Sequence, residues 1–283
     1  GSKYALAHCS GTQSLQAAMW ACGVTAGKEM ICPSVTYWAS AVQALNLGAS
    51  VNFADIERDT LCLDPADIEH RINERTAAIM VVHYLSHPAD MDPIMEIARK
   101  HNVKVIEDVS HAQGGLYKGR KLGTIGDAAG MSLMTGKSFA IGEGGMLTTD
   151  DREVYERAII FGHYARQNEL EIPEYVAGTA MPWGGYKNRI SQFSSILGLA
   201  QLKKYDAECA EIEKAMKYFW QLLEGVPGLY SHCPKWPDSN KAGWYCCHGL
   251  YEPAELGGLS ISRFCEIDNL SFFEFFKTLA TFV

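Results

Sequence analysis

Between Met30 and Thr148, short apolar runs alternate with stretches of helical periodicity, and no other feature restricts the fold as much. The strand candidates are Met30–Cys32, Val51–Ala54, Ala77–His83, Val103–Glu107, Ala129–Leu133 and Met146–Thr148. Helical patterns fill the gaps at Thr12–Cys22, Trp38–Leu47, Pro65–Ile72, Pro93–His101 and Asp151–Phe161. Strands that are apolar on both faces and separated by helices predict an α/β fold, a mostly parallel sheet between two helical layers. Ligands in such sheets bind where the carboxyl ends of strands lead into helices. Residues 165–189, with "IPEYVAGTAMPWGGYKN", predict a long irregular loop, and a helical pattern follows from Ile190 to about Leu223. A chain of 283 residues exceeds the size at which one core usually splits. The expected division is a large domain at 1–225 and a small C-terminal one at 226–283.

Charge and cysteine usage exclude several partners. The net charge of −8 and the absence of any basic run beyond "KGRK" at 118–121 argue against nucleic acid or an anionic membrane. Nine cysteines, an odd number without a C-x-x-C pair, read as reduced thiols packed as small hydrophobes. No apolar run approaches membrane-spanning length, and "GSKYALAH" lacks a secretory pattern. The expected compartment is the cytoplasm.

The residue that stands out chemically is Lys137, in "SLMTGKSFAIGEGG". "GKS" at 136–138 is not a nucleotide-binding loop, because five residues rather than four separate Gly130 from Gly136 and "MSLMT" reads as strand. An ordinary surface lysine is the alternative for any single lysine. Here an apolar strand enters and "GEGG" at 142–145 leaves little bulk nearby, so a partly desolvated amine able to form a Schiff base is expected. A pyridoxal phosphate site would also need an anion seat, a carboxylate for the pyridine nitrogen and an aromatic plane. Ser10-Gly11-Thr12 opens a helix and suits an anion, or is simple N-capping. Asp108 ends a strand in "VIEDVSHAQGG", as a ligand group or as a helix cap. Tyr37 follows another strand in "CPSVTYWAS", although Tyr37 and Trp38 also fit a core.

From "SGT" through "CPSVTYWASAVQALNLGASVNFADIERDTLCLDP", "AAIMVVHYLSHPADMD", "VIEDVSHAQGGLYKGRKLGTIGDAAGMSLMTGKSFAIGEGGMLTTDD" and "GGYKNRISQFSSILGLAQL", the chain resembles the DegT/DnrJ/StrS aminotransferases. The likeness runs in order through residues 4–225, and "EDVSHA", "GKSFAIGEGG" and "FGHY" look closest to the L-glutamine:scyllo-inosose and 2-deoxy-scyllo-inosose aminotransferase branch. It implies a fold-type-I PLP enzyme with a small, partial C-terminal α+β domain. Pyridoxal phosphate and its pyridoxamine form would be the cofactor. Carried over by position, Lys137 would be the cofactor-binding catalytic lysine and Asp108 the partner of the pyridine nitrogen. Gly11, Thr12 and Ser132 would hold the phosphate, Tyr37 would lie against the ring, and His111 would sit near the phenolic oxygen. In "GGYKNRIS", Lys187, Asn188 or Arg189 would reach the phosphate of a neighbouring subunit, which implies a homodimer with shared active sites.

The implied reaction is ping-pong transfer of an amino group from L-glutamine or L-glutamate to the ketone of a cyclitol or sugar. A nucleotide-linked keto-sugar acceptor and a non-catalytic or regulatory protein of the same fold are the alternatives. Dehydrating relatives carry histidine in place of the lysine, so Lys137 favours transamination. Relatives also have a segment ahead of "SGT" and a longer C-terminal domain than the likeness, which fades after Cys265, covers here. His83, His87, Asp90 and Asp92 in "HYLSHPADMD" invite a metal, but the segment leaves a strand toward Pro88 and would not place the histidines on one helix face. His163 and Tyr164 could line a substrate pocket or merely end a helix.

Overall fold

A computed structural model describes residues 1–177 and 186–267. Part of the stretch expected to be irregular at 165–189, and the chain after Ile267, lie outside these residues. In chain order the elements are β1 (Tyr4–His8), α1 (Gly11–Ala21), β2 (Glu29–Pro33), α2 (Ala39–Asn46), β3 (Ser50–Ala54), α3 (Pro65–Arg71), β4 (Thr76–Val82), α4 (Met91–His101) and β5 (Lys104–Asp108). A small ribbon, β6 (Leu116–Tyr117) with β7 (Arg120–Lys121), precedes β8 (Ala128–Ser132), β9 (Gly145–Thr149), α5 (Arg152–Gly162), α6 (Pro173–Ala177) and α7 (Gln192–Leu222).

Seven strands form one sheet in the order β1-β9-β8-β5-β4-β2-β3. β3, β2, β4, β5 and β8 run parallel, while β9 pairs antiparallel with both β8 and β1. The expected α/β architecture is therefore present. Strand β1 was not anticipated: its alanines carry little β signal, and it is held by antiparallel pairing with β9, Leu6 opposite Leu147. The helices begin where capping chemistry permits. Ser10 Oγ accepts from Gln13 N–H, Asp64 from Ala66 N–H ahead of Pro65, and Asp151 from Glu153 N–H.

The double-sided apolar strands divide their residues between two cores. Met30, Cys32, Ala78, Met80, Val82 and Ile106 pack on one face with Leu15, Ala18 and Ile159 of α1 and α5. Ile31, Ile79, Val81, Val105 and Ala129 pack on the other with Ile68 and Ile94 of α3 and α4. This is the period-two alternation of a strand buried on both sides. At the end of β5 it separates two neighbouring acids, with Glu107 toward the α3–α4 layer and Asp108 toward the α1 side.

Glu107 is fully buried and accepts from Gly123, Ile125 and Gly126 N–H at 2.8, 2.8 and 2.7 Å. His83 Nδ1 accepts from Ala89 N–H, which leaves the proton on Nε2, 3.0 Å from Glu107 Oε2. Burial alone would raise the Glu107 pKa, but the hydrogen bonds it accepts from His83 and from the Gly123–Gly126 turn hold it below the usual carboxylate range. The candidate metal set is dispersed among other partners: His87 Nδ1 contacts Pro88 O, Asp90 accepts from Tyr117 OH, and Asp92 pairs with Lys118 and Arg120.

The part of 165–189 that is described has more order than the composition suggested. A short 3-10 turn spans Tyr164–Glu169, and buried Glu156 accepts from Glu171 and Ile172 N–H, both at 3.0 Å, which ties the stretch to α5. By contacts the chain divides into one unit of residues 1–215 with 233–246 and another of 216–232 with the chain from 247. The division thus falls inside α7, and Cys233–Cys246 returns to the first unit instead of following chain order. Within the second unit, β10 (Leu229–Ser231) pairs antiparallel with β11 (Gly249–Tyr251), and α8 spans Ile261–Ile267. The eight cysteines among the described side chains are free thiols, and burial pushes Cys22 and Cys62 up to about 12. Among the described residues no helix is long and apolar enough to cross a membrane.

Replacing Glu107 strands three backbone donors and the imidazole. Glu107→Ala is expected to cost about 3–5 kcal/mol of stability, comparable to breaking a buried charged pair, measured by urea unfolding against the parent chain.

Candidate active site

A cavity of about 450 Å³ opens where the carboxyl ends of β1, β2, β4, β5 and β8 meet the first turns of α1 and α2. Ser10, Gly11 and Thr12 follow β1, Tyr37 and Ser40 follow β2, and Tyr84 and Leu85 follow β4. Asp108 ends β5 and is followed by Ser110 and His111, while Ser132 ends β8 ahead of Lys137. The open-sheet rule thus locates the site.

The start of α1 lies hard against the sheet. A Cβ on Gly11 would stand 2.5 Å from Ser132 Cα, and one on Gly145 would stand 2.2 Å from Ser10 O. Glycine at both positions lets the backbone approach that closely. The first N–H groups of α1 consequently border the cavity next to Ser132, with the positive end of the helix dipole behind them. That combination attracts a phosphate-like anion. Ser10 serves both readings made from the sequence, since it caps the helix through Gln13 N–H at 3.2 Å and also lines the cavity.

Asp108 is 5% exposed, and both its oxygens are held. Ser40 Oγ donates to Oδ2 at 2.7 Å, Ser110 N–H donates to Oδ1 at 2.9 Å, and Thr36 Oγ1 donates to Ser40 Oγ at 3.0 Å. Lys137 stands on a folded-back loop in which Leu133 N–H donates to Gly144 O and Thr135 N–H to Gly142 O. Gly142 supplies the left-handed conformation this reversal requires, φ +87°. Burial lowers the Lys137 pKa, and the charge of Asp108 opposes that shift.

His111 is pushed down to about 4, first by burial and then by the charge of Lys137, with Asp108 opposing, so its imidazole is neutral near pH 7. Leu85 N–H donates to its Nδ1 at 3.4 Å. Leu85 and Ser86 both have left-handed backbone, φ 49° and 68°, which costs of order 1–3 kcal/mol for each such non-glycine residue and concentrates at functional sites. The ring of Tyr245 lies flat on His111, centroids 3.9 Å apart and planes 8° from parallel, and Lys137 Nζ lies 4.7 Å from the Tyr245 centroid.

Of the residues singled out from the sequence, Lys137, Asp108, Gly11, Thr12, Tyr37, His111 and Ser132 all line this one cavity. Tyr37 and Trp38 are 60% and 66% exposed, so neither is a core aromatic. Lys187 and Asn188 are elsewhere. Lys187 is exposed and bridges to His163, while Asn188 is buried, its N–H donating to Gly162 O and its O accepting from Cys9 N–H. His163 is buried at the end of α5 with its ring edge-on to His8, which matches its helix-terminus reading. Sequence reasoning missed Ser40, Ser110, Glu143 and Tyr245. The first two stand just past strands already marked as ligand-binding ends and were findable by that rule. Tyr245 carried no local signal, because its segment reaches the site only through tertiary contacts: Asn240 exchanges backbone hydrogen bonds with Leu116, and Ala242 packs with Tyr205 of α7.

These features fit pyridoxal phosphate. A half-buried amine suits its aldehyde, a doubly held carboxylate suits its ring nitrogen, and the α1 start, where a Cβ would fill the contact with Ser132, suits its phosphate.

The model of the DegT/DnrJ/EryC1/StrS aminotransferase family matches residues 1–277. GDP-perosamine synthase of Caulobacter vibrioides is 38% identical over 224 residues, 79% of this chain and 58% of that protein. L-glutamine:scyllo-inosose aminotransferase of Streptomyces griseus is 38% identical over 226 residues, 79% of this chain and 53% of that one. Among solved structures, DesV of S. venezuelae is 30% identical with TM-score 0.73, covering 86% of this chain and 63% of its own. The chain thus spans little more than half the length of the curated relatives it matches.

Because Asp108 favours the ammonium, Asp108→Asn is expected to lower the Lys137 pKa further. In the parent, the pH–rate profile for acylation of this amine should have its midpoint below that of an ordinary lysine, and in the variant lower again.

Proposed function

Because the chain belongs to the DegT/DnrJ/EryC1/StrS aminotransferase family, we propose that it is a pyridoxal-phosphate-dependent aminotransferase that moves an amino group from L-glutamine or L-glutamate to a keto-cyclitol or keto-sugar. The observation that carries this reading is the shared cavity of Lys137, Asp108 and the start of α1. Relatives at 38% identity include both a scyllo-inosose aminotransferase and a GDP-perosamine synthase. Among the described residues Lys137 is the one lysine or arginine lining the cavity, which supports a free cyclitol or sugar over a nucleotide diphosphate.

Pyridoxal phosphate, when bound, supplies an electron sink that makes amino-group exchange between an amino acid and a ketone feasible. Gly11 and Thr12 N–H groups, with Ser132, hold its phosphate at the positive end of α1. Asp108, fixed by Ser40 and Ser110, keeps a proton on the pyridine nitrogen. Lys137, whose pKa burial lowers, would take the proton from the donor's Cα and, in the reverse half-reaction, deliver one to the carbon that carried the acceptor's ketone. Tyr37 borders the ring, and neutral His111 can donate a hydrogen bond from Nε2.

The same reading includes a homodimer. The first half of α7 exposes Phe193 by 86% and Ile196, Leu199 and Leu202 by 62–66%, an apolar surface suited to a second copy. Of the candidates for reaching the neighbouring phosphate, Lys187 and Arg189 are exposed, whereas Asn188 is buried with its side chain over Gly162. That exposure favours Lys187 or Arg189 for the role over Asn188.

Lys137→Ala is expected to abolish the visible absorbance of the lysine-bound cofactor together with turnover, and retention of both would remove Lys137 from the reaction. Loading the parent chain with pyridoxamine phosphate and offering keto-cyclitols and nucleotide-linked keto-sugars should return that absorbance with the former class first. No return with any ketone would support the non-catalytic reading. Phe193→Asp combined with Ile196→Asp should convert a dimer to a monomer in sedimentation equilibrium while leaving the far-ultraviolet circular dichroism unchanged.

A further inference from the structure

We propose that Tyr245 is a positioning residue that clamps His111 beside Lys137, so that the returning segment Cys233–Cys246 orients an imidazole whose proton Leu85 N–H keeps on Nε2. Besides the Tyr84 ring, tilted 50° at 5.9 Å, three contacts converge on His111. The Tyr245 ring covers it at 3.9 Å and 8°. Ser86 Oγ donates to the His111 carbonyl and accepts from Tyr245 N–H at 2.7 Å, so one hydroxyl ties the two backbones together. Leu85 N–H occupies Nδ1. Leu85 and Ser86, which supply these two donors, both have left-handed backbone, and such strain concentrates at functional sites.

The clamp works on charge as well as on shape. Lys137 and Asp108 face His111, and Glu143 lines the same cavity. Protonating the imidazole would place a second cation beside the Lys137 ammonium, which also lies over the Tyr245 ring. With the ring covered and Nδ1 occupied, His111 is kept as a neutral donor that leaves the amine free to exchange its proton. The inference rests on the aminotransferase reading only in taking Lys137 as the working amine.

The test follows the imidazole C2–H resonance of His111 by NMR against pH in the full chain, assigned by its loss in His111→Gln. Tyr245→Ala should move the midpoint from about 4 toward the ordinary 6.5, by about one unit or more. In the loaded enzyme it should lower kcat on the order of tenfold with a much smaller change in KM, and Tyr245→Phe, which keeps the ring, should restore both. Should Tyr245→Ala not fold, Tyr245→Ser, which likewise uncovers the imidazole, is read in its place. An unchanged midpoint and unchanged kcat in the truncated variant overturn the proposal, as does failure of Tyr245→Phe to restore them. The NMR arm needs no turnover, so an inactive parent chain sinks the aminotransferase reading while the clamp on His111 is still decided by the midpoint.

Discussion

The site depends on one step of strand geometry at the end of β5, where consecutive residues face opposite sides of a sheet buried on both faces. Glu107 turns into the α3–α4 layer and ties down the Gly123–Gly126 turn, together with His83 at the end of β4. Asp108 turns into the cavity and is held by two serines. Structural and chemical duties are thereby given to separate acids one bond apart, and a shift of β5 by one residue would exchange them. The parallel register that opposes Asp108 to Val82 and Gly130 rules out that exchange.

Around Asp108 the electrostatics form a balance. Burial disfavours positive charge on Lys137 and His111, which lowers both. Asp108 restores part of the preference for the Lys137 ammonium, so burial and charge act on the amine in opposite directions. A lysine that is to carry a proton benefits from that lowering, since a fully exposed one stays charged at neutral pH. The neutral imidazole of His111 sets the upper limit on positive charge in the site.

Much of the fold was legible because its main signal is local. Each of the six strands read from the alternation of apolar runs lies within a residue of the observed one, and Ser10, Asp64 and Asp151 mark helix starts by capping chemistry that needs no distant partner. Edge strand β1 escaped notice because only Leu6 and His8 in it are buried, and antiparallel pairing with β9 supplies the rest. Likewise Glu156 organises Glu171 and Ile172 from fifteen and sixteen residues away, an order that a composition rich in glycine, proline and aromatics hides.

By itself the sequence determined which residues could do chemistry and that most would stand at strand ends: an amine at 137, an acid at 108, a helix start at 10–12. Those properties follow from side-chain type and from periodicities a few residues long. Only the tertiary structure decided which of them share a cavity, that Gly11 and Gly145 let the start of α1 press against Ser132 and β9, and that Tyr245 joins His111 and Lys137 while Asn188 packs over Gly162. The physical reason is range. Rings and backbones more than a hundred residues apart meet through packing and hydrogen bonds that exist only once the sheet has closed around its two cores.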